Sequence, residues 1–219
     1  MISTKVRSLI TAASLGGLMA LALTTPAHAA AKPKPAGTVD PLVSYFDLNQ
    51  GDNEVRVINP TRASGDLCAM IYVFDSDQEL GACCGCRVSS NGLATLSTAN
   101  DLVSNWLVRV TSAVTVPNKG VVVIVPSTPN SGTSGGANKN GCDPTAAYTE
   151  LPSLNAWMTH VEGYERADGT SLGGLSVTPF TQDSTDTTEN AYLISECAFV
   201  QGDGSSAGIC AKANTTCDN

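Results

Sequence analysis

Histidine is almost missing from this chain of 219 residues, which contains only His28 and His160. Charged side chains are also scarce, at 15% of residues, and aromatic side chains make up 5%. Because histidine is the usual general base of a hydrolase triad and a frequent metal ligand, its scarcity disfavours both kinds of site. No cofactor-binding motif is present either. The residues therefore predict no catalytic group and no cofactor.

Positive charge and long apolar runs are in short supply as well. Twelve Lys and Arg residues stand against twenty Asp and Glu residues, which gives a formal net charge of −8. An acidic chain repels nucleic acid and anionic membranes, so neither is an expected partner. Beyond the N-terminal region, no apolar segment reaches the roughly 20 residues that a membrane-spanning helix needs. We therefore expect no membrane span.

The N-terminal region has the three parts of an export signal. Lys5 and Arg7 precede the apolar stretch Leu9–Leu23, and an A-x-A cleavage site ends at Ala29. We expect residues 1–29 to be a signal peptide. Its removal takes away two of the twelve basic residues and none of the twenty acidic ones, so the mature net charge is near −10. The predicted location is secreted or on the cell surface, with the periplasm as the alternative.

Cysteine, by contrast, is plentiful. In an exported chain, cysteines at this density predict disulfide bonds rather than metal ligands. We assign all eight of them to disulfides: Cys68, Cys83, Cys84, Cys86, Cys142, Cys197, Cys210 and Cys217.

Three of these cysteines form a C-C-x-C motif. Zinc sites usually have two separated pairs of ligands, which this crowded spacing does not provide. A bond between the neighbours Cys83 and Cys84 would close a strained ring, so each is expected to have a distant partner and the motif to tie several elements together. A hairpin could bring Cys68 back to Cys83 or Cys84, and Cys197 could bond Cys210. The remaining pairings stay open.

Short apolar runs separated by turn signals predict a mainly β chain. The predicted strands are Leu42–Leu48, Glu54–Asn59, Leu67–Phe74, Leu93–Leu96 and Gly120–Val125. The predicted organisation is a flexible tail at residues 30–41, a β-sandwich core at 42–126, a Gly/Ser/Asn-rich loop at 127–144, and further strands with a helix at 145–219 of the same domain.

The C-terminal part contains the one predicted helix, Asp186–Val200. Asp186 and Glu189 have the spacing of a capping box. Leu193, Cys197 and Val200 share one helical face, and Gly202 would end the helix. The run at residues 156–161 is either another strand or a short helix. The predicted fold is therefore an antiparallel β-sandwich, immunoglobulin-like, with a small disulfide-tied helical part at the C-terminus.

Two family resemblances bear on this prediction. The strand that ends in Asn59, the YVFD strand and the NGLATLS run look like the early strands of bacterial immunoglobulin-like modules, over about residues 54–97. The segments VRVINPT, LCAMIYVFDSDQELGACCGC, AWMTH and GSSAGIC resemble a family of uncharacterised secreted bacterial cysteine-rich proteins, over most of the mature chain. The second resemblance implies secretion and cysteine bonding, and it implies no particular activity.

Asp75, Asp77 and Glu79 are the weak calcium candidates, because their spacing suits a calcium loop. An EF-hand that began at Asp75 would need a glycine and a glutamate where the chain has Leu80 and Cys86, so that interpretation fails. A calcium site of another kind remains an alternative. The simpler interpretation, which we prefer, is a charged hairpin turn, and no metal is assigned.

Two strings match the serine-hydrolase pattern G-x-S-x-G, around Ser134 and Ser206. Neither lies in the strand–turn–helix context that the pattern requires. His160 follows Ser134 by only 26 residues and precedes Ser206, an order that does not suit a triad. We therefore expect His160 to be a structural residue with a hydrogen-bonded ring.

The leading hypothesis is a secreted structural or adhesive surface protein without catalytic activity, whose partner is a further copy of itself. The first alternative is an extracellular module that binds carbohydrate or calcium, with Trp106, Trp157 or Tyr148 as aromatic contacts for a glycan. The second alternative is a secreted hydrolase with an acidic site. Exposed tryptophans would favour glycan binding, and close carboxylates in a cleft would favour the hydrolase.

Overall fold

Nine β-strands, one α-helix and one π-helical turn make up the regular structure of the residues that the computed structural model describes. Those residues are 40–60, 65–107, 116–130, 141–151, 153–169, 171–182, 187–202 and 207–210. The predicted signal peptide, residues 30–39 of the predicted tail, Ser134, Ser206 and Cys217 lie outside them.

The strands form two antiparallel sheets. Their bounds are β1 Leu42–Asp47, β2 Glu54–Ile58, β3 Leu67–Asp75, β4 Leu80–Val88, β5 Leu93–Ser97, β6 Lys119–Ser127, β7 Asn155–Glu165, β8 Ser171–Pro179 and β9 Thr181–Gln182. The five-stranded sheet has the order β4-β3-β6-β1-β9, and the four-stranded sheet has the order β5-β2-β7-β8. The π-helical turn, Thr98–Leu102, follows β5, and helix α1 spans Thr187–Gly202.

The main hydrophobic core lies between the two sheets. Alternate residues of β2, Val55 and Val57, are buried in it, whereas Glu54 and Arg56 on the other face are partly exposed. This alternation is typical of a sheet with one covered face. Leu42 and Phe46 of β1 enter the same core, and Leu48 packs against it.

Strand β3 is buried on both faces because the five-stranded sheet is covered on both sides. Ala69 and Ile71 belong to the core between the sheets. Met70 and Tyr72 belong to a second cluster, in which Leu193, Cys197 and Val200 of α1 pack against the outer face of the five-stranded sheet. The predicted strand at Leu67–Phe74 is therefore confirmed, and the predicted apolar face of the helix is the face that packs.

The structure resolves the ambiguity at residues 156–161, since this run belongs to strand β7. Helix α1 ends at Gly202, where the sequence predicted its end, and begins with Thr187. Asp186 of the predicted capping box lies outside the described residues. No helix in the described ranges is long and apolar enough to cross a membrane.

Candidate functional site

Disulfides hold the helix and a loop segment against the five-stranded sheet. The bonds are Cys68–Cys142, Cys83–Cys197 and Cys84–Cys210. Cys86 is disulfide-bonded as well, so all seven cysteines among the described residues are oxidised. The disulfide prediction is confirmed for these seven.

Both pairings suggested from the sequence are wrong. In the hairpin of β3 and β4, Cys68 lies opposite Arg87. Cys83 and Cys84 lie nearer to the turn, opposite Tyr72 and Ile71, so Cys68 is not beside either of them. Cys68 bonds instead to the loop that follows β6. Cys197 reaches Cys83 because α1 packs on β4, and this leaves Cys210 for Cys84.

Alternation along β4 explains why neighbouring cysteines have distant partners. Successive side chains of a strand point to opposite faces of the sheet. Cys83 therefore lies in the outer cluster beneath α1, whereas Cys84 and Cys86 lie in the core between the sheets. The motif does tie several elements together, as predicted from the sequence.

A chain of polar side chains also fixes the layer over the five-stranded sheet. The hydroxyl oxygens of Tyr72 and Tyr148 are 2.9 Å apart, and the Tyr148 hydroxyl donates to Asn190 of α1. Asn190 in turn donates to Glu150. Burial raises the pKa of both tyrosines above the usual range, so they stay protonated. Internal hydrogen bonds thus occupy the Tyr148 hydroxyl.

The two tryptophans lie in different environments. Trp106 is 6% exposed and belongs to the core, where its ring packs so closely on Gly81 that a Cβ there would be 2.1 Å away. Trp157 is partly exposed and lies on the outer face of the four-stranded sheet, since its neighbours Ala156 and Met158 are buried in the core. Of the two, Trp157 is the one that a ligand can reach.

The predicted calcium candidates lie in the hairpin between β3 and β4. One carboxylate oxygen of Asp75 accepts hydrogen bonds from the backbone N–H groups of Asp77 and Glu79, both at 2.9 Å. Gln78 completes the turn with a positive φ of 66°. Asp75 therefore stabilises the turn itself. In the described part of the chain, no three His, Cys, Asp or Glu side chains are grouped so that they could hold a metal ion.

His160 is a buried residue of β7, 2% exposed. Its Nε2 lies 2.9 Å from the Thr178 hydroxyl, and its ring stacks on Tyr45 with 4.4 Å between centroids. Burial lowers the pKa of His160, because it penalises the charged imidazolium. Its Nδ1 is buried and has no hydrogen-bond partner among the described atoms. The ring is hydrogen-bonded, as predicted.

An open depression of about 410 Å³ lies on the outer face of the four-stranded sheet. Its lining is Asp52, Glu54, Arg56, Thr95, Ser97, Asp101, Thr159, Val161 and Leu175. These residues come from the loop before β2, from β2, β5, β7 and β8, and from the π-helical turn. No local sequence motif could have identified the set, since the sheet pairing alone brings it together.

The three carboxylates of this depression bind neighbouring groups of the protein. Asp52 accepts from the Ser97 hydroxyl at 2.5 Å and from the Ala99 N–H at 2.8 Å, and Asp101 accepts from the Ser97 N–H at 2.8 Å. Both thus stabilise the start of the π-helical turn. Glu54 pairs with Arg56 at 2.9 Å. Three carboxylates thus line the depression, and their hydrogen bonds and ion pair serve the fold.

Beside the depression, β8 presents an apolar surface to solvent. Its pairing with β7 places Val177 opposite Thr159 and Leu175 opposite Val161, on the outer face of the sheet. Leu175 is 74% exposed and Val177 is 57% exposed. We use the term β8 edge for the side of strand β8, Ser171–Pro179, that faces away from β7.

Comparison with known proteins gives no match to a family model, to a curated protein or to a solved structure. Function is therefore inferred from the residues and geometry of this chain.

Proposed function

We propose that this chain is a secreted or cell-surface protein with a structural or adhesive role, which acts through the surface and edges of a β-sandwich and without catalysis. The disulfides support an oxidising, extracellular location, because such bonds persist outside the cytosol. They also suit a protein that must last in that environment.

An immunoglobulin-like sandwich is part of the proposal. The support is the pairing of the central strands, with β5 beside β2 in one sheet and β4, β3 and β6 adjacent in the other. In an immunoglobulin domain, strands B and E are neighbours in one sheet and strands C and F are neighbours in the other. Strands β2 and β5 of this chain have the arrangement of B and E, and strands β3 and β6 have that of C and F. The chain departs from that pattern where β1 pairs with β6 and β7 pairs with β2.

The observation that carries the proposed role is the group of exposed apolar side chains on the outer face of the four-stranded sheet. Leu175 and Val177 expose more than half of their side chains there, next to the partly exposed Trp157 and Val161. Large apolar side chains grouped on the surface of a soluble protein usually mark an interaction site. A surface of this kind, on a chain that carries no assigned catalytic group, favours adhesion or assembly.

The test uses the purified chain from residue 30 onward. We expect oligomers or filaments that grow with concentration, seen by light scattering and electron microscopy, or retention on particulate extracellular glycans. A protein that stays monomeric at all concentrations and is retained by no surface would contradict the proposal. So would hydrolysis of an ester or a glycoside by the wild-type protein.

Glycan binding is the second candidate function, favoured by the position of Trp157. Trp157 lies opposite Arg56 on the same face of the sheet, beside the depression. A tryptophan ring stacks on a sugar face, and the partly exposed Arg56 side chain offers polar contacts to its hydroxyls. Calorimetry with soluble oligosaccharides tests this. Trp157→Ala should abolish binding, whereas Tyr192→Ala, a change of an exposed aromatic residue on α1, should leave it unchanged.

A further inference from the structure

The edges of the five-stranded sheet are blocked or very short. Along the outer side of β4, the Cys83 N–H donates to the Gly208 carbonyl at 2.8 Å. The Cys83 carbonyl accepts a hydrogen bond from the Gln201 side chain at 3.1 Å. The Gly81 carbonyl accepts from the Leu107 N–H at 2.9 Å. At the opposite edge, β9 has only two residues. In the described structure, one edge of this sheet is therefore covered around Gly81 and Cys83, and the other ends in a two-residue strand.

The four-stranded sheet has edges of a different kind. At one side, β5 has five residues and runs directly into the π-helical turn. At the other side, β8 has nine residues and pairs with β7 alone among the described strands. Natural sheets protect long edges with charged side chains, proline, bulges or a covering segment. The sequence of β8, SLGGLSVTP, contains no charged residue, and its only proline is Pro179 at the end.

We propose that the β8 edge pairs with the β8 edge of a second copy of this chain, so that two four-stranded sheets join into one antiparallel sheet of eight strands. The inference deepens the proposed function, on which it rests, by naming the partner and the contact. Strand addition of this kind satisfies the backbone N–H and C=O groups that an edge strand leaves to solvent.

A two-fold axis at Ser176 gives the pairing its register. Antiparallel strands related by this axis place Leu175 of each copy opposite Val177 of the other, so the four most exposed apolar side chains of the edge form one contiguous patch. Gly174 then lies opposite Thr178, where its missing side chain leaves room. No pair in this register brings two charges together, because β8 has none.

A second β8 strand suits this edge better than the N-terminal tail. Residues 30–41 contain three prolines, which lack the N–H that a ladder needs, and two lysines. Every residue from Ser171 to Thr178 has a backbone N–H.

The net charge near −10 opposes association of two copies. Because salt screens that repulsion, we expect the dimer to become tighter as ionic strength rises.

Sedimentation of three forms of the mature chain tests the contact. Leu175→Lys/Val177→Lys places two lysines of each copy opposite each other, and the dimer should weaken by about ten-fold or more. Leu93→Lys/Tyr192→Lys is the matched control. It adds the same charge at exposed apolar positions on β5 and α1, and it should dimerise like the wild type.

A cross-linking variant tests the register. Directly opposed residues of antiparallel strands have Cα atoms about 4.5–5.5 Å apart, within the range that a disulfide bridges. Ser176→Cys should therefore give a covalent dimer on a non-reducing gel. Ser195→Cys, at an exposed position of α1, should not.

The outcomes separate this inference from the proposed function. Self-association that survives the double lysine change at β8 would overturn the pairing and leave the structural role standing. A dimer with a dissociation constant of about 1 mM is the weakest that the pairing allows. A wild-type protein that is still monomeric at about 1 mM would therefore also overturn the pairing. If that protein also bound no surface, the proposed function would fall with it.

Discussion

Gly85 is the residue whose replacement should damage the fold most clearly, because a loop backbone lies directly against it. A Cβ at this position of β4 would be 1.8 Å from the Cys142 carbonyl oxygen and 2.5 Å from its carbonyl carbon. Ordinary contacts between carbon and oxygen begin at about 3.3 Å, so the loop would have to move by roughly 1.5 Å. The Cys68–Cys142 disulfide holds the loop in place and opposes that movement.

We expect Gly85→Ala to lower the free energy of unfolding by about 3 kcal/mol, the upper part of the range for overpacked sites. The melting temperature should fall by about 10 °C for a chain of this length. Both are measured by thermal and urea unfolding of the oxidised protein, followed by circular dichroism.

Two variants serve as controls for this prediction. Gly173→Ala makes the same change in a strand where no atom lies within 4 Å of the new Cβ, so it should be neutral or stabilising by up to about 1 kcal/mol. Removal of the disulfide with Cys68→Ser/Cys142→Ser should free the loop and reduce the cost of Gly85→Ala. The reasoning would be refuted if Gly85→Ala were as stable as the wild type. It would also be refuted if Gly85→Ala lowered the free energy of unfolding by the same amount with and without the Cys68–Cys142 disulfide.

Three further predictions concern the thiols, His160 and the tail. Alkylation and mass spectrometry of the unreduced mature protein should find at most two free thiols and no stoichiometric zinc, and four or more free thiols would contradict the disulfide assignment. The folded state disfavours protonated His160, because burial lowers the pKa of its ring. The wild-type protein should therefore lose stability as the pH falls through the unfolded histidine pKa of about 6.5, and His160→Gln should lose less. Urea unfolding measured over a range of pH tests this prediction. Deletion of residues 30–39 should change neither folding nor assembly in size-exclusion chromatography, whereas deletion through Leu48 should unfold the chain because it removes Phe46 from the core.

Strands with a regular apolar pattern could be predicted from the sequence, and strands without one could not. The runs at β1, β2, β3 and β6 are rich in β-branched and aromatic residues, which suit a pleated surface. Strand β4 instead contains Gly81, Gly85 and the clustered cysteines, and β8 contains Gly173 and Gly174. Their strand structure depends on pairing with β3 and β7 and, for β4, on disulfides, so local propensity gave no signal.

The disulfide partners and the depression were beyond prediction for a related reason. Cys83 and Cys197 are 114 residues apart in the chain, and they meet only because α1 packs on the outer face of the five-stranded sheet. The lining of the depression likewise comes from four strands, one loop and the π-helical turn. The oxidation of the seven described cysteines could be predicted from the density of cysteines, and the charged residues can be read directly from the sequence. The sequence could not identify which of them meet, because that follows from sheet order.

The positions of the cysteines connect the stability of the fold to its proposed mode of assembly. No cysteine lies in β2, β5, β7 or β8, so the four-stranded sheet carries no disulfide of its own. The Cys84–Cys210 bond holds residues 207–210 along β4, where Ile209 pairs with Cys83 and blocks that edge. A cross-link that covers one edge removes a competing site for strand addition, and association is then directed to the edge that stays open. That edge is β8, the one long strand edge in the described structure that carries neither charge nor cover.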